Sequence, residues 1–283
     1  MTRVALTKTE IVARARDFGA EMIGFAPVSR WDDVAHVPQD FRPMAIWPLA
    51  KTVVVLGVPL WLPIVEAAPS ELGREQYIIT NDLLDEAAYR LAVFLNGHGH
   101  AAINLPRDGQ GEPETLAETP TAIFSHIRAG QLAGLGVVGR SGALLTQAFG
   151  PRQRLISVFT DLELEGDPLV AQGLCLGCGD CEKICPVHAL STSPGEGRAD
   201  FDVAACSGNG SRLRQAFRNP CGFCIKVCPV GEDRRLFQSI STRKYFDEAA
   251  ALAANPYAPE YQDWLHIRKY GGFPLPEDPP SIR

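Results

Sequence analysis

The sequence predicts an α+β chain in three stretches: an α/β region over residues 1–166, a metal-binding module over 167–240, and an aromatic, proline-rich strap over 241–283. Three observations carry this. Helix-like and strand-like patterns alternate up to Asp161 and then stop. All eight cysteines lie between Cys175 and Cys228. The chain has 283 residues, 46% of them hydrophobic, enough for one large core or two ordinary ones.

The elements follow in order. Thr7 and Glu10 form a capping-box pattern, with Ile11, Ala15 and Phe18 on one helical face and Gly19 as the stop, which predicts a helix over about 8–18. Residues 21–26 read as a short strand ended by Pro27. From Ser29 to Pro48 the prolines and scattered aromatics predict an ordered surface loop. Lys51–Val58 is β-branched and continuous, as a buried central strand requires. Apolar residues at 79, 83, 84, 87, 91, 94 and 95 predict the longest helix over Glu75–Asn96, closed by Gly97-His98-Gly99-His100, where paired histidines fit a polar terminus better than a metal site. A strand is expected over Ala101–Leu105. The Gly-, Pro- and acid-rich stretch Pro106–Pro120 has the look of a lid or substrate loop. A helix over Thr121–Gly134 and a buried strand over Arg154–Asp161 complete the region.

The cysteines carry the strongest chemistry. Cys175, Cys178, Cys181 and Cys185-Pro186 read C-x2-C-x2-C-x3-C-P, the ligand run of a bacterial two-cluster ferredoxin, and Cys221, Cys224 and Cys228-Pro229 repeat its second half. Cys206 supplies the missing ligand. Four disulfides would suit a small secreted chain, and a zinc ribbon has no use for a third cysteine followed by x3-C-P. The expectation is therefore two 4Fe-4S clusters with crossed ligands. By the ferredoxin likeness, one is held by Cys175, Cys178, Cys181 and Cys228, the other by Cys206, Cys221, Cys224 and Cys185. Arg212, Arg214 and Arg218, in the insert after Cys206, fit a solvated helix face; they could also meet an anionic ligand or an electron donor.

Such a module needs only a fraction of this chain, so the long region before it is expected to be a catalytic or cofactor-binding domain supplied with electrons. Gly134-Leu135-Gly136-Val137-Val138-Gly139 contains the string G-x-G-x-x-G, but a helix pattern rather than a strand precedes it, which argues against dinucleotide binding. The formal charge of −6 and the lack of a basic run argue against nucleic acid. The first ten residues show neither a signal-peptide core nor a twin-arginine pair, and Pro59 breaks the longest apolar run, so a cytoplasmic protein without membrane contact is expected.

The block Ala129-Gly130-Gln131-Leu132-Ala133-Gly134-Leu135-Gly136-Val137-Val138-Gly139-Arg140-Ser141-Gly142-Ala143-Leu144-Leu145, with the strand to Asp161 and two cysteine runs after it, resembles the epoxyqueuosine reductases and the related reductive dehalogenases. The resemblance implies a nitroreductase-like α/β domain binding cobalamin, or in its place a flavin, followed by the ferredoxin-like domain. Gly134, Gly136, Gly139, Arg140 and Ser141 would line the cofactor. The chain departs from the family in having Pro120 where an acidic residue stands, which leaves Glu118, His126 and Tyr77 as candidate proton donors. The implied partners are an external electron donor of ferredoxin or flavodoxin type and a small-molecule substrate. The alternative is a non-catalytic electron carrier or adaptor with no second cofactor.

Overall fold

A computed structural model describes residues 3–34, 37–108, 122–171, 173–191 and 200–278. Its first half is built on a four-stranded antiparallel sheet of order β1-β2-β6-β3, formed by β1 (Met22–Pro27), β2 (Thr52–Pro59), β3 (Ala102–Asn104) and β6 (Gln153–Thr160). Every residue of β2 is buried, as its unbroken β-branched sequence demands of a strand covered on both faces. Alternation divides them: Val54, Leu56 and Val58 meet α1 (Lys8–Asp17), through Ile11 and Ala15, and the long helix α4 (Glu71–Gly97). Val53 and Val55 turn to the other side, toward Trp31, Phe124 and helix α5 (His126–Leu132).

Most of these elements lie where the periodicities put them, with physical reasons visible. Both halves of the capping box form: Glu10 N–H donates to the Thr7 hydroxyl at 3.2 Å, and Thr7 N–H to the Glu10 carboxylate at 2.8 Å. The 29–48 stretch is not a plain loop; it contains short helical turns at Val28–Trp31, Gln39–Phe41 and α2 (Pro43–Ile46). The long helix starts earlier than expected, at Glu71, where Ser70 caps it, and its buried stripe runs through Leu84, Ala87, Ala88, Leu91, Ala92 and Leu95. Ile79 and Leu83, expected on that stripe, are 59% and 36% exposed, because they fall outside the face that meets the sheet. At its end His98 Nδ1 bonds the Phe94 carbonyl and His100 Nε2 the Val4 carbonyl, each 2.8 Å, so the paired histidines close the helix and pin the N-terminal segment.

The stretch around the glycine string folds as a hairpin of β4 (Val137–Val138) and β5 (Leu144–Leu145), with no strand before its first glycine. Asp167 marks the way out of the sheet region and is tied back into it: its carboxylate accepts from Phe25 N–H at 2.9 Å and pairs with Lys8, and Arg30 donates to its carbonyl at 2.7 Å.

The cysteine-rich half is made of short helices, α6 (Asp180–Lys183), α7 (Val203–Gln215), α8 (Phe223–Lys226) and α9 (Asp233–Leu236), and a two-stranded ribbon of β7 (Leu190–Ser191) and β8 (Asp200–Phe201). Where a strap was expected, the tail forms α10 (Lys244–Ala254) and α11 (Gln262–Tyr270). Tyr245, Tyr261 and Trp264 pack there against Ala67, from α3 (Leu62–Ala67), and against Val227 and Cys181. Tyr257 and Tyr270 stay exposed. Among the described residues no helix is long and apolar enough to cross a membrane.

Candidate functional site

Helices α6 and α8 open in the same way. Each follows a glycine in the left-handed conformation, Gly179 and Gly222, which lets the chain double back so that several cysteines of one run face one space. Cys175, Cys178, Cys181 and, from the second run, Cys228 line one cavity. The other four thiols lie within electrostatic reach of one another: Cys206 feels Cys221 and Cys185, and Cys224 feels Cys221, Cys206, Cys181 and Cys185. All eight are free thiols.

Both groups are ringed by hydrogen-bond donors. Arg140 N–H reaches Cys175 Sγ at 3.4 Å and Ala189 N–H reaches Cys185 Sγ at 3.3 Å, while the Val230 and Phe223 amides serve Cys228 and Cys221. Buried Asn209, on α7, adds a side-chain donor to Cys221; sequence reading missed it, since an asparagine three residues after Cys206 carries no signal of its own. Burial, then the neighbouring Glu182 and Cys228, push Cys181 up to about 11, and burial, then Cys221 and Cys185, push Cys206 up to about 11. A cation entering either space would have to displace those protons.

The residues expected to line a cofactor do two other things. A Cβ at Gly134 would come within 2.3 Å of the Pro168 carbonyl, and one at Gly136 within 2.0 Å of the Leu145 carbonyl, so these positions are glycine because the chain's own backbone fills the space. Gly139 is likewise filled by the Leu145 side chain. Arg140 and Ser141 line the cavity of Cys175. Arg140 also pairs with Glu182 beside Cys181, which clamps the hairpin turn onto the cysteine loop.

A second constellation stands at the start of β6. The Tyr77 ring lies 4.6 Å from the Arg154 guanidinium, whose Nε donates to Asn81 Oδ1 at 2.9 Å and which pairs with Asp108. His126 faces the same two charges. Its Nε2 lies 2.7 Å from the Pro106 carbonyl and its Nδ1 2.9 Å from the Ser157 hydroxyl. A carbonyl only accepts, so Nε2 carries the proton and Nδ1 accepts from Ser157. Burial holds this imidazole below its ordinary value, hence neutral, with both nitrogens engaged. The structure thus brings Tyr77 and His126 to one place and adds Arg154 and Asp108, which no motif singles out. Glu118 lies outside the described residues. Of the three arginines after Cys206, Arg218 is buried and pairs with Asp278 at 2.6 Å, and Arg212 pairs with Glu277 at 2.6 Å, so these two brace the tail.

Comparison with known proteins gives these sites a context. Residues 174–232 match the family described as 4Fe-4S dicluster domain. A tetrachloroethene reductive dehalogenase of Desulfitobacterium hafniense is 29% identical over 234 residues, which are 74% of this chain and 36% of that protein. An epoxyqueuosine reductase of Lactococcus garvieae (strain Lg2) is 28% identical over 133 residues, 43% of this chain and 36% of that protein. A solved reductive dehalogenase, described as suggesting a mechanism for B12-dependent dehalogenation, superposes with a TM-score of 0.60 at 24% identity over 87% of this chain and 36% of that one. The chain therefore spans about a third of the length of these curated relatives. It is an iron-sulfur reductase-like protein, related to the reductive dehalogenases and the epoxyqueuosine reductases, that carries a 4Fe-4S dicluster domain in its second half.

Proposed function

We propose that the chain is a reductase whose eight cysteines hold two 4Fe-4S clusters, one on Cys175, Cys178, Cys181 and Cys228 and one on Cys185, Cys206, Cys221 and Cys224. The observation that carries this is the first cavity, where thiols from both runs meet around a space rather than at a point. A cubane takes its four thiolates at its corners and accepts N–H donors at its sulfurs, and both features have their match here. When bound, the clusters supply one electron at a time; the protein's part is to hold them, dry and hydrogen-bonded, against the hairpin turn at Arg140.

We further propose that the sheet region, 1–166, is a nitroreductase-like substrate domain and that Tyr77 is its proton donor. Its ring is fixed by Arg154, which Asn81 and Asp108 hold in turn. His126, neutral and doubly bonded, positions the Pro106 segment beside Asp108. An external one-electron donor and a small-molecule substrate belong to the same reading, by analogy with the relatives. A corrinoid rests on the B12 dependence of the solved dehalogenase. Gly134, Gly136 and Gly139 are packed against the chain's own Pro168 and Leu145, and no step is assigned to a corrinoid. The second reading is an electron carrier without a further cofactor.

Anaerobic purification tests the proposal. About eight irons per chain are expected, with a retained corrinoid spectrum for the reductase and iron and sulfide alone for the carrier. Stoichiometric zinc in place of iron would refute both. Y77F should then abolish substrate reduction while leaving iron content unchanged.

A further inference from the structure

Most of the cations packed around the thiols are matched by carboxylates. Arg152 has Asp233 at 2.6 Å, Arg218 has Asp278 at 2.6 Å, Arg268 has Glu248 at 2.5 Å, and Lys244 has Glu66 at 2.7 Å. Arg234 differs. It is 2% exposed, and among the described residues no carboxylate lies in ion-pair reach of it. Its Nε donates to the Cys228 carbonyl at 2.7 Å, Nη1 to the Ser239 carbonyl at 2.8 Å and to the Tyr245 hydroxyl at 3.3 Å, and Nη2 to the Lys226 carbonyl. An arginine cannot release its proton, and a buried charge surrounded only by neutral acceptors is strongly disfavoured. Glu66 stands one hydrogen bond further out, accepting from Tyr245 and Ser239, but it is already paired with Lys244, so a further anion beside Arg234 would stabilise it.

The candidate anion would sit at Cys228, six residues earlier in the chain. Arg234 grips the backbone of Cys228, and the Cys228 side chain lines the first thiol cavity. Arg152 reaches the same carbonyl from the sheet region, at 3.3 Å, but its charge is cancelled by the two-point contact with Asp233. The fields of both arginines fall on the Cys228 sulfur. A four-iron cluster on four thiolates is anionic and becomes more so on taking up an electron, so a fixed cation at one ligand favours the reduced form.

We propose that Arg234 is the built-in counter-charge of the cluster on Cys175, Cys178, Cys181 and Cys228, and that it raises that cluster's reduction potential relative to its neighbour's. This rests on the ligand assignment above. Arg234 touches no reacting group; it is a positioning residue that acts through Cys228 and through the field at the sulfur.

The test is a potentiometric titration of the anaerobic, iron-loaded protein, with dithionite as reductant and electron paramagnetic resonance as readout. R234Q keeps a donor for the Cys228 carbonyl and removes the charge. It should shift the reduction equilibrium of one cluster about tenfold toward the oxidised form, a fall of about 59 mV for one electron. The other midpoint should not move, and the one that moves should be the one missing in C178S. R234K, which keeps the charge, should stay close to the parent. Midpoints unchanged in R234Q, or both lowered alike, would overturn the proposal. If R234Q does not load iron, E66Q decides: Glu66 accepts from Tyr245 and Ser239, which also contact Arg234, so its neutralisation should raise the same midpoint, and an unmoved midpoint would count against Arg234. A parent protein lacking about eight irons would instead defeat the ligand assignment itself.

Discussion

Strand β2 is buried along its whole length, whereas at the same depth in the cysteine-rich half lies Lys226, fully buried, its Nζ bonded to the Ala68 carbonyl at 2.7 Å and set 4.4 Å from the Phe223 ring. The contrast runs through both halves. Around the sheet, the buried titratable group His126 is kept neutral, and cohesion comes from removing apolar surface from water. Around the thiols, Lys226, Arg152, Arg234, Arg268, Glu66 and Glu248 are all buried. For Glu66, burial pushes the carboxyl up, but the hydrogen bonds from Lys244, Ser239 and Tyr245 outweigh it and hold it below its ordinary value. For Glu248, burial is likewise outweighed by Arg268. A core of this kind is organised around charge, and the thiols are what that charge surrounds.

The largest expected effect that breaks this comparison is at the bridge between the halves. R152A leaves Asp233 buried without its partner and releases the carbonyls of Ile225, Cys228 and Val230. The cost is about 3–5 kcal/mol in chemical denaturation, with loss of iron from the first site. L56A, by contrast, deletes apolar volume at a fully buried position of β2; it should cost about 3 kcal/mol and leave the iron content of the folded protein unchanged. If the two variants behaved alike toward iron, the division into an apolar half and a charged half would be wrong.

A pH series sharpens the same contrast. The folded value of His126 is depressed, so its contribution to stability is present above the ordinary imidazole value of 6.5 and is lost as pH falls below it, because the unfolded chain takes up a proton that the folded one resists. Urea midpoints at pH about 7.5 and about 5.5 should therefore differ less in H126Q than in the parent. The smallest effect is at the edge of the sheet region: T7A removes the cap of α1 and should cost about 1 kcal/mol, again with no change in iron.

What was legible in the sequence is what local geometry determines. Cysteine spacing reports a ligand loop because the loop itself makes the site, and β2, α1 and β6 follow from periodicity because each buries its own pattern. Tertiary contacts were not legible. Gly134 and Gly136 read as open backbone for a ligand, yet their neighbours are Pro168 and Leu145, which only the folded chain brings there. Arg152 with Asp233 and Arg154 with Asp108 join residues far apart in sequence, with no motif to link them. Ile79 looked like core because an apolar residue at helical spacing does not say which face of the helix meets the sheet.

The central claim is that the two cysteine runs exchange their last ligands, so that Cys228 serves the cavity of Cys181 and Cys185 the other. Iron stoichiometry of two double variants tests it directly. C181S/C228S strikes one cluster twice and should retain about four irons per chain, while C181S/C185S strikes both and should retain almost none. The reverse result, four irons kept in C181S/C185S and none in C181S/C228S, would mean that each run holds its own cluster and would contradict the account.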